Sequence, residues 1–297
     1  MSPGEAGAPS PFVVGVPRSG TTLLRLMLDA HPELAIPPET HFIPSVIRSI
    51  RRGGSADRVA DRITQHRRWA DFGLDAGELR GRIRALDPLE AGPAIRAFYE
   101  LYAERRGKPR WGDKTPGYAT KMRRIAKALP EARFVHVIRD GRAVVGSRNR
   151  RSRRPLPVDV AARRWKRRVI STRNRSRGVG HYTEVRYEDL VGETEATLRI
   201  VCSFVELPFD EAMLRHHEGA GERIAEIDRD LPARGGRPDL GAEPRIAAHA
   251  RADQPPDPRR AGAWRDEMAA EDVAAFEAEA GDLLETLGYA RRGRLAS

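Results

Sequence analysis

The stretch Gly15-Val16-Pro17-Arg18-Ser19-Gly20-Thr21-Thr22 follows the short apolar run Phe12-Val13-Val14 and opens the leucine-rich segment Leu23-Leu24-Arg25-Leu26-Met27-Leu28. Strand, glycine-bounded loop and helix in that order make a phosphate cradle. Loop N–H groups point inward, and the helix N-terminus adds its partial positive charge. The spacing from Gly15 to Gly20 matches the triphosphate loop G-x-x-x-x-G-K-[ST], but Thr21 stands in place of the lysine that reaches the β- and γ-phosphates. A cradle that carries Arg18 and lacks that lysine suits an anion other than the end of ATP.

Outward from the loop, the first strand is expected at 12–16 and its helix at 21–30, stopped by Pro32. Residues 1–11 are small and contain Pro and Gly, which reads as a disordered N-terminus. Segments between 41 and 106 show helical spacing; Ile95, Phe98, Tyr99 and Tyr102, for example, share one face. This stretch reads as a lid-like helical insertion. The strand pattern resumes at Arg110–Lys114, then at Phe134–Ile138 and His181–Tyr187, with helices near 118–129, from 142, at 159–175 and at 194–206. Residues 220–262 show little periodicity and read as a flexible loop, and a last helix is expected at 266–287. Strands alternating with helices predict an α/β, P-loop-like three-layer fold: a parallel sheet of about four or five strands flanked by helices, in a single domain over 12–290.

Among the 297 residues, 40% are hydrophobic, enough for a sizeable core. Lys+Arg 53 against Asp+Glu 42 gives a net charge of +11, so anionic ligands are expected. Lysine occurs only at 108, 114, 121, 127 and 166. The single cysteine, Cys202, excludes an internal disulfide and reads as a buried thiol in a helix. The first residues lack the pattern of a signal peptide, and no apolar run of about 18 residues exists to span a membrane. A cytoplasmic protein is expected. The run Arg148–Arg177 holds 13 basic residues against one acid, Asp159. With only Trp165 interleaved it makes a poor nucleic-acid footprint and reads as a solvated helix face near an anionic ligand.

Four further positions are candidates to carry chemistry. Arg139 at a strand end and Ser147 in the next helix can reach one phosphate from two sides, with Asp140-Gly141 making a tight turn between them. Glu39, approached through Pro37-Pro38, is a candidate general base, with His41 as a rival; His136 lies in an apolar strand and reads as a core residue. Lys114 is a flexible ammonium in a chain that avoids lysine, suited to following charge onto a leaving oxygen. No metal-ligand set accompanies these residues, and no metal is expected.

Pro17-Arg18-Ser19-Gly20-Thr21-Thr22-Leu23 resembles the 5′-phosphosulfate loop of sulfotransferases that use 3′-phosphoadenosine-5′-phosphosulfate (PAPS). Val137-Ile138-Arg139-Asp140-Gly141-Arg142-Ala143-Val144-Val145-Gly146-Ser147 resembles the same family's 3′-phosphate strand–loop–helix. The piece from Gly15 to Thr40 is similar to the tyrosylprotein sulfotransferase branch and its bacterial relatives. Matches recur at Asp113-Lys114-Thr115-Pro116 and Val185-Arg186-Tyr187-Glu188-Asp189-Leu190, so the resemblance runs from about 12 to 265.

The resemblance implies sulfuryl transfer from PAPS to a hydroxyl, with release of 3′,5′-ADP (PAP). It makes Glu39 the base, with Lys114 and Arg18 stabilising the leaving phosphate. Ser19, Gly20, Thr21, Thr22 and Leu23 then hold the 5′ end, Arg139 and Ser147 the 3′-phosphate. Tyr187 lies beside the adenine on this view, although a core tyrosine fits equally. Arg259-Arg260-Ala261-Gly262 is similar to the family's basic loop, with shorter spacing and no lysine; one of Arg259 and Arg260 is expected to close over the 3′-phosphate. Tyrosyl peptide, carbohydrate, lipid and small metabolite all remain open as acceptors. Arginine richness tilts the reading toward a small molecule or glycolipid in a bacterium, without specific nucleic-acid binding. The alternatives are a P-loop-type kinase acting on a small molecule and a non-catalytic basic nucleic-acid-binding protein.

Overall fold

The computed structural model describes residues 7–152, 154–231, 233, 241 and 253–290. Its main sheet has four parallel strands in the order β4-β1-β5-β6: β1 (Ser10–Gly15), β4 (Asp113–Lys114), β5 (Ala132–Ile138) and β6 (Tyr182–Arg186). Central strands β1 and β5 pair from Ser10↔Ala132 to Gly15↔Val137. Both are nearly continuous apolar runs, as parallel strands covered on both faces must be. Successive side chains point to opposite faces. Phe12 and Val14 therefore join Phe98, Tyr99 and Trp111 on one side, while Val13, Val135 and Val137 join Leu24, Met27 and Val201 on the other.

The first face is covered by α2 (Ile43–Arg51), α3 (Ala56–Thr64), α4 (Ala76–Arg84), α5 (Ala91–Arg105) and α6 (Met122–Ala128). On the opposite face lie α1 (Thr21–Asp29), α9 (Tyr187–Gly192) and α10 (Thr194–Phe204), which buries Cys202. A third cluster centres on Trp165 and Phe276 and packs α7 (Gly141–Asn149), α8 (Val158–Ser176) and the long C-terminal helix.

Several boundaries differ from expectation. Ser10 and Pro11 already belong to β1 and are buried, so the strand begins inside the segment read as disordered; residues 1–6 lie outside the described residues. Arg110–Lys114 is two strands rather than one. Arg110–Trp111 (β3) pairs with Leu34–Ala35 (β2), and Asp113–Lys114 turns away to pair with β1. The crossover at Gly112 presses on Pro11, where a Cβ would stand 2.9 Å from its carbonyl oxygen. Part of the 220–262 stretch is helical: α11 (His216–Ala225) enters it and α12 (Arg259–Gly262) ends it, while 232, 234–240 and 242–252 lie outside the described residues. The last helix is two, α13 (Trp264–Glu267) and α14 (Ala270–Thr286), separated at Met268, whose backbone is extended.

A buried ionic cluster fixes the approach to Glu39. Arg223 of α11 pairs with Asp29 at 2.6 Å and donates to the Tyr102 hydroxyl at 2.6 Å. Asp29 accepts the Ile36 N–H at 2.7 Å, and Arg25 donates to the Ile36 carbonyl at 3.0 Å. Breaking such a buried pair costs about 3–5 kcal/mol, so α1, α5 and α11 hold the 34–39 segment rigidly.

Candidate active site

The loop between β1 and α1 has the backbone of a cradle. Gly20, the residue before α1, sits at φ 100° and caps the helix with no side chain, leaving the first-turn N–H groups open toward a ligand. A Cβ at Gly20 would collide with the Tyr187 ring. Arg18, at φ 80°, holds a left-handed conformation that costs a non-glycine residue about 1–3 kcal/mol. Ser19 Oγ is buried at the loop, without a hydrogen-bond partner among the described residues.

Arg18, Arg139 and Ser147 converge. Arg18 Nε donates to Ser147 Oγ at 3.3 Å, and Arg139 donates to the Arg18 carbonyl at 3.3 Å. The two anion cradles read separately from the sequence are therefore walls of one cavity of about 690 Å³. Gly20, Thr21, Thr22, Leu23, Tyr187, Arg259 and Arg260 also line it. The Arg139 guanidinium stacks 4.0 Å from the centre of the Tyr187 ring, and burial draws its pKa below the usual value. Its Nε has no hydrogen-bond partner among the described residues. Arg259 and Arg260 both face the cavity, but acids hold them: Asp257 at 2.9 Å and Glu267 at 3.1 Å respectively. Arg151 and Gln254–Asp257 line the same space and carry no signal in the sequence.

Asp140-Gly141 is not the tight turn expected. Asp140 caps α7 through the Arg142 N–H and pairs with the Arg142 guanidinium at 2.7 Å. Gly141 is glycine because a Cβ there would strike Phe276 and Trp165. Arg142, almost fully buried, also pairs with Glu277 at 2.6 Å and stacks on Trp264, which ties the Arg139 strand end to α13 and α14.

A second cavity, of about 760 Å³, shares Arg18, Thr21 and Thr22 with the first and holds Glu39 and Lys114. Lys114 Nζ lies 2.9 Å from Glu39 Oε1 and 3.4 Å from Thr22 Oγ1. His41 Nε2 lies 2.9 Å from Glu39 Oε2, with Arg68 at 3.9 Å. Burial opposes ionisation of Glu39, but Lys114, then the His41 hydrogen bond and Arg68, outweigh it and hold the carboxyl well below its usual range. Burial draws the Lys114 ammonium down against the pull of Glu39. Glu39 precedes α2 by four residues, and His41, the rival base, is its hydrogen-bond partner. His136 is fully buried beside the Tyr182 hydroxyl at 2.7 Å, as expected of a core residue.

Beneath this pair lies a hub that sequence reasoning missed. Asp113 Oδ2 accepts from Tyr99 at 2.8 Å, Thr40 at 2.8 Å and Thr115 at 3.2 Å. Thr40 N–H donates to Thr115 Oγ1 at 3.0 Å, and Tyr118 bridges Thr40 to the Ile43 N–H. Glu39 is thus anchored through its neighbour Thr40, and Lys114 through Asp113 and Thr115 on either side. Burial pushes the Asp113 carboxyl up to about 6 despite three donors. Among the described residues no group of three or more His, Cys, Asp or Glu could hold a metal ion, and no helix is long and apolar enough to cross a membrane.

Fold and site together define an α/β phosphate-loop protein whose nucleotide-sized cavity opens, at the loop, onto a second cavity bearing a carboxylate–ammonium pair. The chain matches the model of the sulfotransferase family over residues 9–211 and belongs to that family. It is 28% identical over 226 residues to protein-tyrosine sulfotransferase A of Caenorhabditis elegans, covering 73% of this chain and 55% of that protein. Identity to protein-tyrosine sulfotransferase 1 of Danio rerio is 29% over 230 residues, covering 73% and 60%. The chain therefore spans little more than half the length of these curated relatives. Among solved structures, the sulfotransferase domain from the Synechococcus PCC 7002 olefin synthase superposes with a TM-score of 0.60 at 25% identity, covering 98% of each chain. The sulfotransferase domain from the curacin biosynthetic pathway shares the fold, with a TM-score of 0.62 at 21% identity over 97% of this chain and 100% of that one.

Proposed function

We propose that this protein transfers a sulfuryl group from PAPS to the hydroxyl of a small acceptor, releasing PAP. The observation that carries the reading is the meeting of the two cavities at Arg18, Thr21 and Thr22, with Lys114 between Thr22 and Glu39. The residues present fit the donor. Ser19 Oγ and Arg139 Nε are buried polar atoms without partners among the described residues, one in the loop and one at the strand end. When bound, PAPS supplies an activated sulfuryl group on its 5′-phosphate.

In this reading the loop from Ser19 to Leu23 holds the 5′ end through N–H groups and the Thr21 and Thr22 hydroxyls. Arg139 and Ser147 hold the 3′-phosphate, Tyr187 flanks the adenine, and Arg259 or Arg260 joins by leaving its acid partner. Lys114 moves from Glu39 to the leaving phosphate oxygen, and Arg18 neutralises the charge that builds there. Release from Lys114 lets the Glu39 pKa rise, so the carboxylate gains basicity when the acceptor hydroxyl must lose its proton. A bacterial, cytoplasmic setting accords with the single buried thiol and with the likeness to the Synechococcus domain.

The test is incubation of the full chain with 35S-labelled PAPS and a metabolite extract, with mass spectrometry of labelled products. A sulfated product and stoichiometric PAP support the reading. Transfer of the γ-phosphoryl of ATP to an acceptor with release of 5′-ADP instead, or no labelled product together with no binding of PAP, rejects it.

A further inference from the structure

The wall of the Glu39 cavity formed by α8 has a chemistry that sulfuryl transfer does not use. Arg167, Arg168, Ser171 and Thr172 lie along it. Elsewhere on α8 three cations meet acids: Arg163 pairs with Asp159 at 2.7 Å, Lys166 with Asp282 at 2.6 Å and Arg173 with Glu184 at 2.6 Å, while Arg175 donates to Ser171. Among the described residues, the Arg167 and Arg168 guanidinium groups make neither a hydrogen bond nor an ion pair, although the Arg168 carbonyl accepts from Thr172. The other cations of the cavity are committed. Arg18 donates to Ser147, Arg25 holds the Ile36 carbonyl and Glu226, Arg68 lies against Asp71 and Glu39, and Lys114 holds Glu39. Glu39 is the one carboxylate among the described lining residues.

Arg164, one turn before Arg168, and Arg148 at the end of α7 bring two more guanidinia. Burial, and then the repulsion of Arg148, Arg164 and Arg167, draws the Arg168 pKa below its usual value. Like charges four apart on a helix destabilise it. A helix that presents such a cluster to a cavity whose one described carboxylate, Glu39, is already held by Lys114 and His41 is arranged to receive an anion there. Guanidinium forks match carboxylate and phosphate oxygens two at a time. The cluster does not serve the donor's phosphates, because neither Arg167 nor Arg168 lines the nucleotide cavity, where Arg139, Arg151, Arg259 and Arg260 do.

We propose that Arg167 and Arg168 form an acceptor subsite for an anionic substituent, a carboxylate or a phosphate ester, carried by the same small molecule whose hydroxyl meets Glu39. The proposal rests on the sulfuryl-transfer reading and adds the chemical class of the acceptor to it. Selectivity comes from both ends of one cavity: the hydroxyl is placed at Glu39 only when the anion is seated on α8.

The test uses the full chain saturated with PAP and matched hydroxyl probes: 4-hydroxyphenylacetate against 4-hydroxyphenylacetamide, glucuronate and glucose 6-phosphate against methyl glucoside, and glycerol 3-phosphate against glycerol. Binding is read by calorimetry, and kcat/KM by PAP release from PAPS. At least one charged member is expected to bind tenfold or more tighter than its neutral partner. The Arg167→Ala/Arg168→Ala double variant should lose that preference while keeping PAP affinity, and the double Lys variant should keep most of it. Removing unpaired like charges leaves the Tm of the Ala variant equal or higher, so misfolding does not confound the result. The carboxylate and phosphate probes decide which anion is preferred. Equal binding within every pair, no binding by any charged probe, or a preference that survives the Ala variant overturns the subsite. Failure of the parent chain to bind PAP instead overturns the sulfuryl-transfer reading.

Discussion

Glu39 holds Lys114 on one oxygen and His41 on the other, so its carboxylate rests ionised and weakly basic. Replacement by Gln keeps the shape and removes the proton acceptor. Glu39→Gln should bind PAP as the parent does while kcat falls by about 10²–10⁴; turnover within twofold of the parent would move the base elsewhere, with His41 first in line. Lys114→Ala removes the main charge that depresses the Glu39 pKa. The acid limb of its kcat/KM–pH profile, which reports the free enzyme, should therefore move to higher pH, with kcat reduced across the range, and an unmoved limb would mean that Lys114 does not govern this carboxylate. At Gly20 the constraint is steric: φ 100° and the Tyr187 ring leave no room for a Cβ. Gly20→Ala should cost about 1–3 kcal/mol in urea denaturation and at least tenfold in PAP affinity; unchanged affinity would show that the loop re-forms without its left-handed turn.

At the scale of elements, the pieces read most directly were those whose pattern is local. The apolar runs of β1 and β5 and the shared face of Ile95, Phe98, Tyr99 and Tyr102 needed no partner to be recognised, and all four of the latter are buried. The Asp113 hub was not legible, because each of its bonds joins residues that only the fold brings together: Thr40 lies 73 residues from Asp113 and 78 from Tyr118. Splitting of Arg110–Lys114 into two strands was hidden for the same reason, since it depends on which neighbours β2 and β1 offer. The hub carries a thermodynamic signature. The Asp113 pKa is raised from 3.8 to about 6, so the proton stays on longer in the folded state. Its contribution to stability is complete below pH 3.8 and is lost as pH rises through about 6, a loss of about 3 kcal/mol. Asp113→Asn cannot ionise, so urea denaturation between pH 4 and 8 should show the variant gaining on the parent as pH rises. Parallel pH profiles for the two proteins would place the ionisation outside the hub.

Across the whole molecule, the arginine-rich run turned out to be divided: part is neutralised against α14 and β6, and part faces the Glu39 cavity. Composition alone cannot separate these two uses of the same residue. The nucleotide cavity likewise gathers distant parts: the β1–α1 loop, the stretch from Arg139 at the β5 end to Ser147 and Arg151 at the end of α7, α9 and the segment from Gln254 to Arg260. A ligand that touches all four links the two ends of the chain and binds only when they are folded together. It therefore adds its binding free energy to stability, about 2.7 kcal/mol at a hundredfold excess over Kd. For a chain of this size that corresponds to a Tm increase of about 5–10 °C. PAP should produce this shift. ATP with magnesium, which has no 3′-phosphate for Arg139 and Ser147 and meets no loop lysine, should produce less than a third of it. Arg139→Ala should reduce the PAP shift to the ATP level, because the contact it removes is the one that distinguishes the two nucleotides. A larger shift with ATP–magnesium than with PAP would return the phosphoryl-transfer reading, and a PAP shift untouched by Arg139→Ala would place the 3′-phosphate away from the β5 strand end.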